Sequence, residues 1–84
     1  MQIKPIASNM TELTFTPKET TAYGDFSVLY SYKTPVAGYS DEGAFRTDQF
    51  YSVTTSKHIN KYLGGKDVGK VVPQSYIDAL VEDK

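Results

Sequence analysis

Residues 26–47, FSVLYSYKTPVAGYSDEGAFRT, carry the pattern that decides the fold. From Phe26 to Tyr32, aromatic and branched residues alternate with small polar ones closely enough to predict a β-strand. Pro35 restricts the next strand to a sheet edge or to a start at that residue. The polar residues 40–43 are typical of a hairpin loop, after which the chain returns as a strand over about 44–51. This stretch therefore predicts three consecutive antiparallel strands.

The residues before this stretch predict one more strand. Residues 10–16 alternate, with Leu13 and Phe15 on one face. The segment 17–25 contains proline, threonine and glycine, which favours a turn or loop. Since short connections join the four strands, an antiparallel meander is the simplest arrangement.

After residue 52 the pattern changes to a helical one. Three consecutive hydroxyl residues are candidate N-caps, apolar residues follow at helical spacing, and the glycines at 64–65 predict the end of this helix. A second helix is expected from about Pro73 to the acidic C-terminal residues. We therefore predict a single α+β domain over residues 1–84. It would have about four antiparallel strands in a meander, with two short C-terminal helices packed on one face.

Composition limits the classes of function. The chain of 84 residues has a formal net charge of −1, no cysteine and one histidine. The missing basic excess argues against a general binder of nucleic acid or of anionic membranes. Without cysteine there is neither a disulfide framework nor a thiolate metal site. No stretch approaches the ~20 apolar residues that span a bilayer, and no signal peptide is recognisable. We expect no metal, no cofactor and no membrane association.

The start of the first helix has an unusual charge pattern. A helix N-terminus carries a partial positive charge and usually attracts acidic residues. If the helix starts at one of the three hydroxyl residues, Lys57 and His58 occupy its first turn, and no acidic residue lies between Asp48 and Asp67. Hydroxyls, free N–H groups and cations together predict a phosphate or carboxylate site. The candidate ligand-binding residues are Thr54, Thr55, Ser56, Lys57, His58 and Lys61. The alternative is a capped, packed helix start with solvated lysines.

Other patterns give little evidence of chemistry. Residues 64–71, GGKDVGKV, resemble a phosphate loop, but Val71 stands where the magnesium-binding Ser or Thr would be, and the segment follows a helix. The aromatic residues of 26–32 could stack on nucleic-acid bases, yet such residues on one strand face are more typical of a core. His58 has no acid at a spacing that implies a catalytic dyad. We expect no enzymatic activity.

Two segments resemble a family of small bacteriophage proteins of unknown function. The family has a Y-S-Y-x-T-P-V-A strand, which residues 30–37 match, and an S-x-T-T-S-K-H-I-N-K-aromatic-L helix start, which residues 52–63 match. The resemblance implies a phage or prophage accessory protein made in the host cytoplasm. It implies no activity, ligand or catalytic residue.

These observations lead to two hypotheses of function. The first is a non-enzymatic, host-modulating interaction module that binds a host or phage protein. The alternative is a binder of a phosphate-bearing ligand, a nucleotide or nucleic acid, at residues 54–61. A homodimer through an uncovered aromatic sheet face stays open.

Overall fold

The computed structural model describes residues 2–15, 26–40 and 42–82. Within these ranges the chain forms one sheet and two helices. The elements in chain order are β1 (Gln2–Ala7), β2 (Met10–Phe15), β3 (Phe26–Ser31), β4 (Thr34–Ser40), β5 (Gly43–Thr47), α1 (Val53–Leu63), β6 (Lys70–Val72) and α2 (Gln74–Glu82). The predicted α+β class is confirmed.

The sheet has six strands in the described residues, not the predicted four. Its strands lie in chain order and pair antiparallel from β1 to β5. β6 then pairs parallel to β5, so that β5, α1 and β6 form a crossover unit instead of continuing the meander. The two edge strands, β1 and β6, could not be predicted from local sequence patterns. Every residue of β1 is exposed, which removes the apolar alternation, and β6 has only three residues.

The two helices cover opposite faces of the sheet, so the prediction that both pack on one face is wrong. Val28 and Leu29 are neighbours in β3 and therefore point to opposite faces. Val28 packs in a cluster with Ile77 of α2, whereas Leu29 packs in a cluster with Ile59 and Leu63 of α1. Both β3 residues are fully buried. Two consecutive buried apolar residues in one strand show that both faces of the strand are covered. Neither face of β3 is therefore available to solvent or to a second copy of the chain.

A glycine makes room for an aromatic ring on the α2 face. Gly38 of β4 pairs with Phe45 of β5. A Cβ atom at Gly38 would lie 2.7 Å from Phe45 Cζ and would overlap the backbone oxygen of Ser27. The Phe45 ring is buried in the cluster with Ile77, so the absence of a side chain at Gly38 lets this core close.

Several connections meet at one end of the sheet, which we call the hairpin end. The β1–β2 turn at 8–9, the β3–β4 turn at 32–33 and the loop 48–52 all lie there because of the strand directions. Both helices also begin at this end, since α1 follows β5 and α2 follows its parallel neighbour β6. In the described part of the chain, neither helix is long and apolar enough to cross a lipid bilayer.

Candidate functional site

The start of α1 is capped by Ser52, not by one of the three predicted residues Thr54, Thr55 and Ser56. Ser52 has an extended backbone, and its Oγ accepts a hydrogen bond of 3.1 Å from the Thr55 N–H. The hydroxyl cap that the sequence predicts is therefore present, but two residues earlier. Thr54 is exposed, Ser56 is half-buried and Thr55 is buried, so these three hydroxyls do not face a common surface.

Beside the cap, three hydroxyls and one imidazole form a continuous hydrogen-bonded string. Ser52 Oγ donates to Thr55 Oγ1 at 3.2 Å, and Thr55 Oγ1 lies 3.0 Å from Ser31 Oγ. Ser31 Oγ in turn lies 2.8 Å from His58 Nδ1. Ser31 is 2% exposed and Thr55 is 5% exposed. The string thus joins the end of β3 to the start of α1 through the two buried side chains of Ser31 and Thr55.

The direction of donation along this string is linked to the tautomer of His58. Each hydroxyl has one hydrogen, and Ser52 uses its own to donate to Thr55. We infer that Thr55 then donates to Ser31 and that Ser31 donates to His58 Nδ1. In this arrangement no buried hydroxyl lacks an acceptor. With this direction of donation, neutral His58 would carry its hydrogen on Nε2.

The pair of Ser31 and His58 lies at hydrogen-bond distance, but its surroundings differ from those of an activated nucleophile. The Ser31 hydroxyl is buried, so a substrate in solvent cannot approach it. Within the described residues, the side-chain hydrogen-bond partner of His58 is Ser31, and no carboxylate orients the ring. Tyr32 lies against His58 with the ring centroids 5.9 Å apart. The arrangement fixes α1 against the β3–β4 hairpin.

The predicted cations do not converge on one point. Lys57 and Lys61 are exposed one turn apart on the outer side of α1, whereas the half-buried His58 turns toward Ser31 of the sheet. Arg46 is occupied elsewhere: its guanidinium donates to Asn60 Oδ1 at 3.1 Å and to the Gly65 carbonyl at 2.9 Å. Lys61 lies in the last turn of α1, away from the helix start. A phosphate at the helix start would have the exposed Lys57 nearby, but neither the buried Thr55 hydroxyl nor Nδ1 of His58.

Among the described residues, four large apolar side chains are exposed in the β3–β4 turn and around the loop 48–52 at the hairpin end, and we call them the apolar end surface. They are Tyr32, Phe50, Tyr51 and Val53. Phe50 is 73% exposed and Val53 is 63% exposed. The prediction placed Phe50 and Tyr51 inside a strand, but β5 ends at Thr47. The polar residues 48–49 were the signal that the strand ends before this apolar group.

Tyr32 has an unusual backbone conformation. Its φ of 58° lies in the left-handed region, which costs an aromatic residue on the order of 1 kcal/mol. The Tyr32 N–H donates to the carbonyl of Asn9 at 2.8 Å, which fastens the β3–β4 turn to the β1–β2 turn. The prediction counted Tyr32 with the core face of β3. It lies in the turn, and its ring is exposed.

A family described as "Family of unknown function (DUF8033)" matches residues 1–79. The chain belongs to DUF8033. The match covers all six strands, α1 and most of α2, and thus extends beyond the two segments that carry the sequence resemblance. No curated protein and no solved structure matches the chain. The expectation of an uncharacterised family is confirmed.

A second polar cluster in this DUF8033 protein holds the other end of α1. The Tyr62 hydroxyl donates to a Glu12 carboxylate oxygen at 2.5 Å and lies 3.1 Å from Ser27 Oγ. The Tyr62 ring also packs against Tyr39, with the centroids 5.6 Å apart. Burial and the hydrogen bond to Glu12 raise the pKa of the Tyr62 hydroxyl. Among the described residues, no group of three or more His, Asp or Glu side chains could hold a metal ion.

Proposed function

We propose that this DUF8033 protein is a non-enzymatic interaction module that binds a host or phage protein through the apolar end surface. The observation that carries the proposal is the exposure of Tyr32, Phe50, Tyr51 and Val53 at one end of the sheet. Aromatic residues are enriched in protein–protein interfaces and supply many of their energetic hot spots.

Burial of these side chains would provide a driving force for association. Full burial of one large apolar side chain contributes about 1.5–3 kcal/mol. The folded chain leaves most of the Phe50 and Val53 surface in water, although several apolar residues elsewhere are fully buried. A partner that covers these two side chains therefore gains free energy that the fold itself does not use.

The apolar end surface is supported by fixed elements. Ser52 caps α1 between Tyr51 and Val53, and the Asn9 carbonyl holds the backbone of Tyr32. A surface that is already ordered loses little conformational entropy on binding. An ordered apolar end surface favours binding to a folded surface or an extended segment of the partner protein.

The biological setting is part of the same proposal. Residues 30–37 and 52–63 carry the resemblance to small bacteriophage proteins. In this proposal the protein is a phage or prophage accessory protein that acts in the host cytoplasm by occupying a surface of its partner. The charge of −1 is consistent with a protein partner, because a general nucleic-acid binder would carry a basic excess.

The proposal is tested with the whole chain as bait in a host lysate. A Phe50→Ala/Val53→Ala variant removes the two most exposed side chains of the apolar end surface, while Val71→Ala removes a side chain of similar exposure, 61%, from the edge strand β6. We expect a partner that the wild type and Val71→Ala recover and the double variant does not. A partner that the double variant retains would show that this surface is not the binding site.

The second candidate function is a binder of a phosphate-bearing ligand at residues 54–61. It is favoured by Lys57 and Lys61, which are exposed one turn apart, and by the absence of an acidic residue from the first turn of α1. The test is an NMR titration at low salt with phosphate, a nucleotide mixture and a short single-stranded oligonucleotide. Saturable shifts at Thr54–Lys57 that Lys57→Ala removes and Lys66→Ala keeps would support it. A spectrum without such shifts would leave the protein-interaction proposal.

A further inference from the structure

A shallow groove of about 310 Å³ runs across the first three strands on the α2 face. Its lining residues are Ile3, Thr11, Leu13, Tyr30, Tyr32 and Lys33. Ile3 pairs with Leu13 across β1 and β2, and Thr11 pairs with Tyr30 across β2 and β3, so these four side chains lie on one face of the sheet. We propose that this groove accepts one large apolar side chain of the protein partner, next to a partner carboxylate that pairs with Lys33. The inference rests on the proposed function.

The size of the groove favours a single side chain as its occupant. Its volume lies at the lower limit of about 300–1,000 Å³ for small-molecule sites. Ile3 forms one wall and is 68% exposed, so the wall becomes buried only when something fills the groove. A side chain from a protein can fill this space while the rest of the partner covers the surface around it.

The charge of the lining determines which partner fits. Lys33 is the one charged residue among the described lining residues. A carboxylate beside the apolar anchor would pair with it, whereas a nucleic acid would need several cations along its backbone. Burial and the nearby Asp78 carboxylate raise the pKa of the Tyr30 hydroxyl, which therefore stays protonated and able to donate to a partner carbonyl. The complementary segment is an apolar residue followed or preceded by Asp or Glu.

The groove is continuous with the apolar end surface. Tyr32 belongs to both, because its ring is exposed at the hairpin end and also lines the groove. The left-handed backbone at Tyr32 places the ring at this junction. Unfavourable backbone conformations of this kind are concentrated at functional sites. A partner bound to the apolar end surface can therefore extend one residue into the groove.

The test is a selection of random twelve-residue peptides displayed on phage against the whole chain. Ile3→Asp places a charge on the groove wall without disturbing a buried residue, and circular dichroism checks its fold. We expect enriched peptides to share a large apolar residue next to Asp or Glu. Their affinity should fall about tenfold in Ile3→Asp and about threefold in Lys33→Gln. Lys66→Gln, an exposed lysine at the opposite end of the sheet, should leave it unchanged.

The outcomes separate this inference from the proposed function. Peptides that need Phe50 but bind Ile3→Asp normally would overturn the groove inference and leave the apolar end surface intact. A selection without Ile3-dependent peptides would also overturn it. NMR titrations provide a third outcome. The groove inference would also be overturned if a single-stranded oligonucleotide pool shifted the Ile3 and Leu13 methyl resonances and the peptides did not. Ile3-dependent peptides, together with a natural partner that Phe50→Ala/Val53→Ala retains, would instead support the groove and contradict the proposed surface.

Discussion

Ser31 Oγ lies 2.8 Å from Nδ1 of His58 and thereby joins the last residue of β3 to the second turn of α1. These two residues belong to the separate segments 30–37 and 52–63 that carry the sequence resemblance. The contact, with the neighbouring one to Thr55, makes the two segments one structural unit. The apolar end surface is built on this unit.

We expect Ser31→Ala to lower the free energy of unfolding by about 1–3 kcal/mol, because the buried Thr55 hydroxyl would lose its acceptor. Urea unfolding followed by circular dichroism measures this loss. Thr54→Ala is the matched control, since Thr54 lies in the same turn but is exposed, and should change stability by less than about 0.5 kcal/mol. Equal effects of the two substitutions would contradict a structural role for the buried string.

The same string predicts the proton position on His58. In the neutral imidazole Nε2 should be protonated and Nδ1 should accept from Ser31. Long-range proton–nitrogen NMR spectra at alkaline pH distinguish the two nitrogens. Ser31→Ala should weaken this preference. Protonation mainly at Nδ1 in the wild type would show that the string has the opposite direction.

Tyr62 predicts a loss of stability at alkaline pH. Its pKa is raised in the folded state by burial and by the hydrogen bond to Glu12. The folded state therefore holds this proton more tightly than the unfolded state, whose tyrosine pKa is about 10. The Tyr62 contribution is fully present below about pH 10 and is lost as the pH rises further.

Tyr62→Phe is the variant that isolates this effect. At neutral pH it should cost about 1–2 kcal/mol, since the hydroxyl bonded to Glu12 is removed. Above about pH 10 the stability of the variant should fall less steeply than that of the wild type. Urea unfolding of both proteins from neutral to alkaline pH makes the comparison. Parallel pH profiles would rule out Tyr62 as the cause.

Gly38→Ala tests the close packing on the α2 face. The added Cβ would meet the backbone oxygen of Ser27 and the ring of Phe45, so strands must shift, at a cost of about 1–3 kcal/mol or more. Gly65→Ala is the control, because its Cβ would meet only a methyl group of Val68, at 3.3 Å. Thermal unfolding compares the two, and an unchanged midpoint for Gly38→Ala would refute this account of the core.

Tyr32→Asn separates stability from binding. Asparagine tolerates the left-handed backbone, so we expect a stability within about 1 kcal/mol of the wild type or higher. Binding of the partner should weaken, since the Tyr32 ring belongs to both proposed contact surfaces. Differential scanning calorimetry measures the stability, and isothermal titration calorimetry measures the affinity for the partner. A stable variant with undiminished affinity would remove Tyr32 from the proposed interface.

Local sequence patterns were sufficient to predict β2, β3 and the end of α1. The alternation at residues 10–16 and 26–32 corresponds to β2 and β3, and the glycine pair ends α1. Gly64 has the left-handed φ of 94°, and its N–H donates to the Asn60 carbonyl. Each of these features depends on neighbours within a few residues, which is why the sequence alone could predict them.

Only the tertiary structure decided how these elements combine and which residues can form a site. The exposed β1 joins the sheet by backbone pairing, and β6 pairs with β5 across the α1 crossover. Lys57 and Lys61 are exposed as solvated helix residues usually are, but Thr55 and His58 turn toward Ser31, which is 24 and 27 positions away in the chain. Hydrogen bonds over such separations leave no local pattern, because they depend on how the chain folds back on itself.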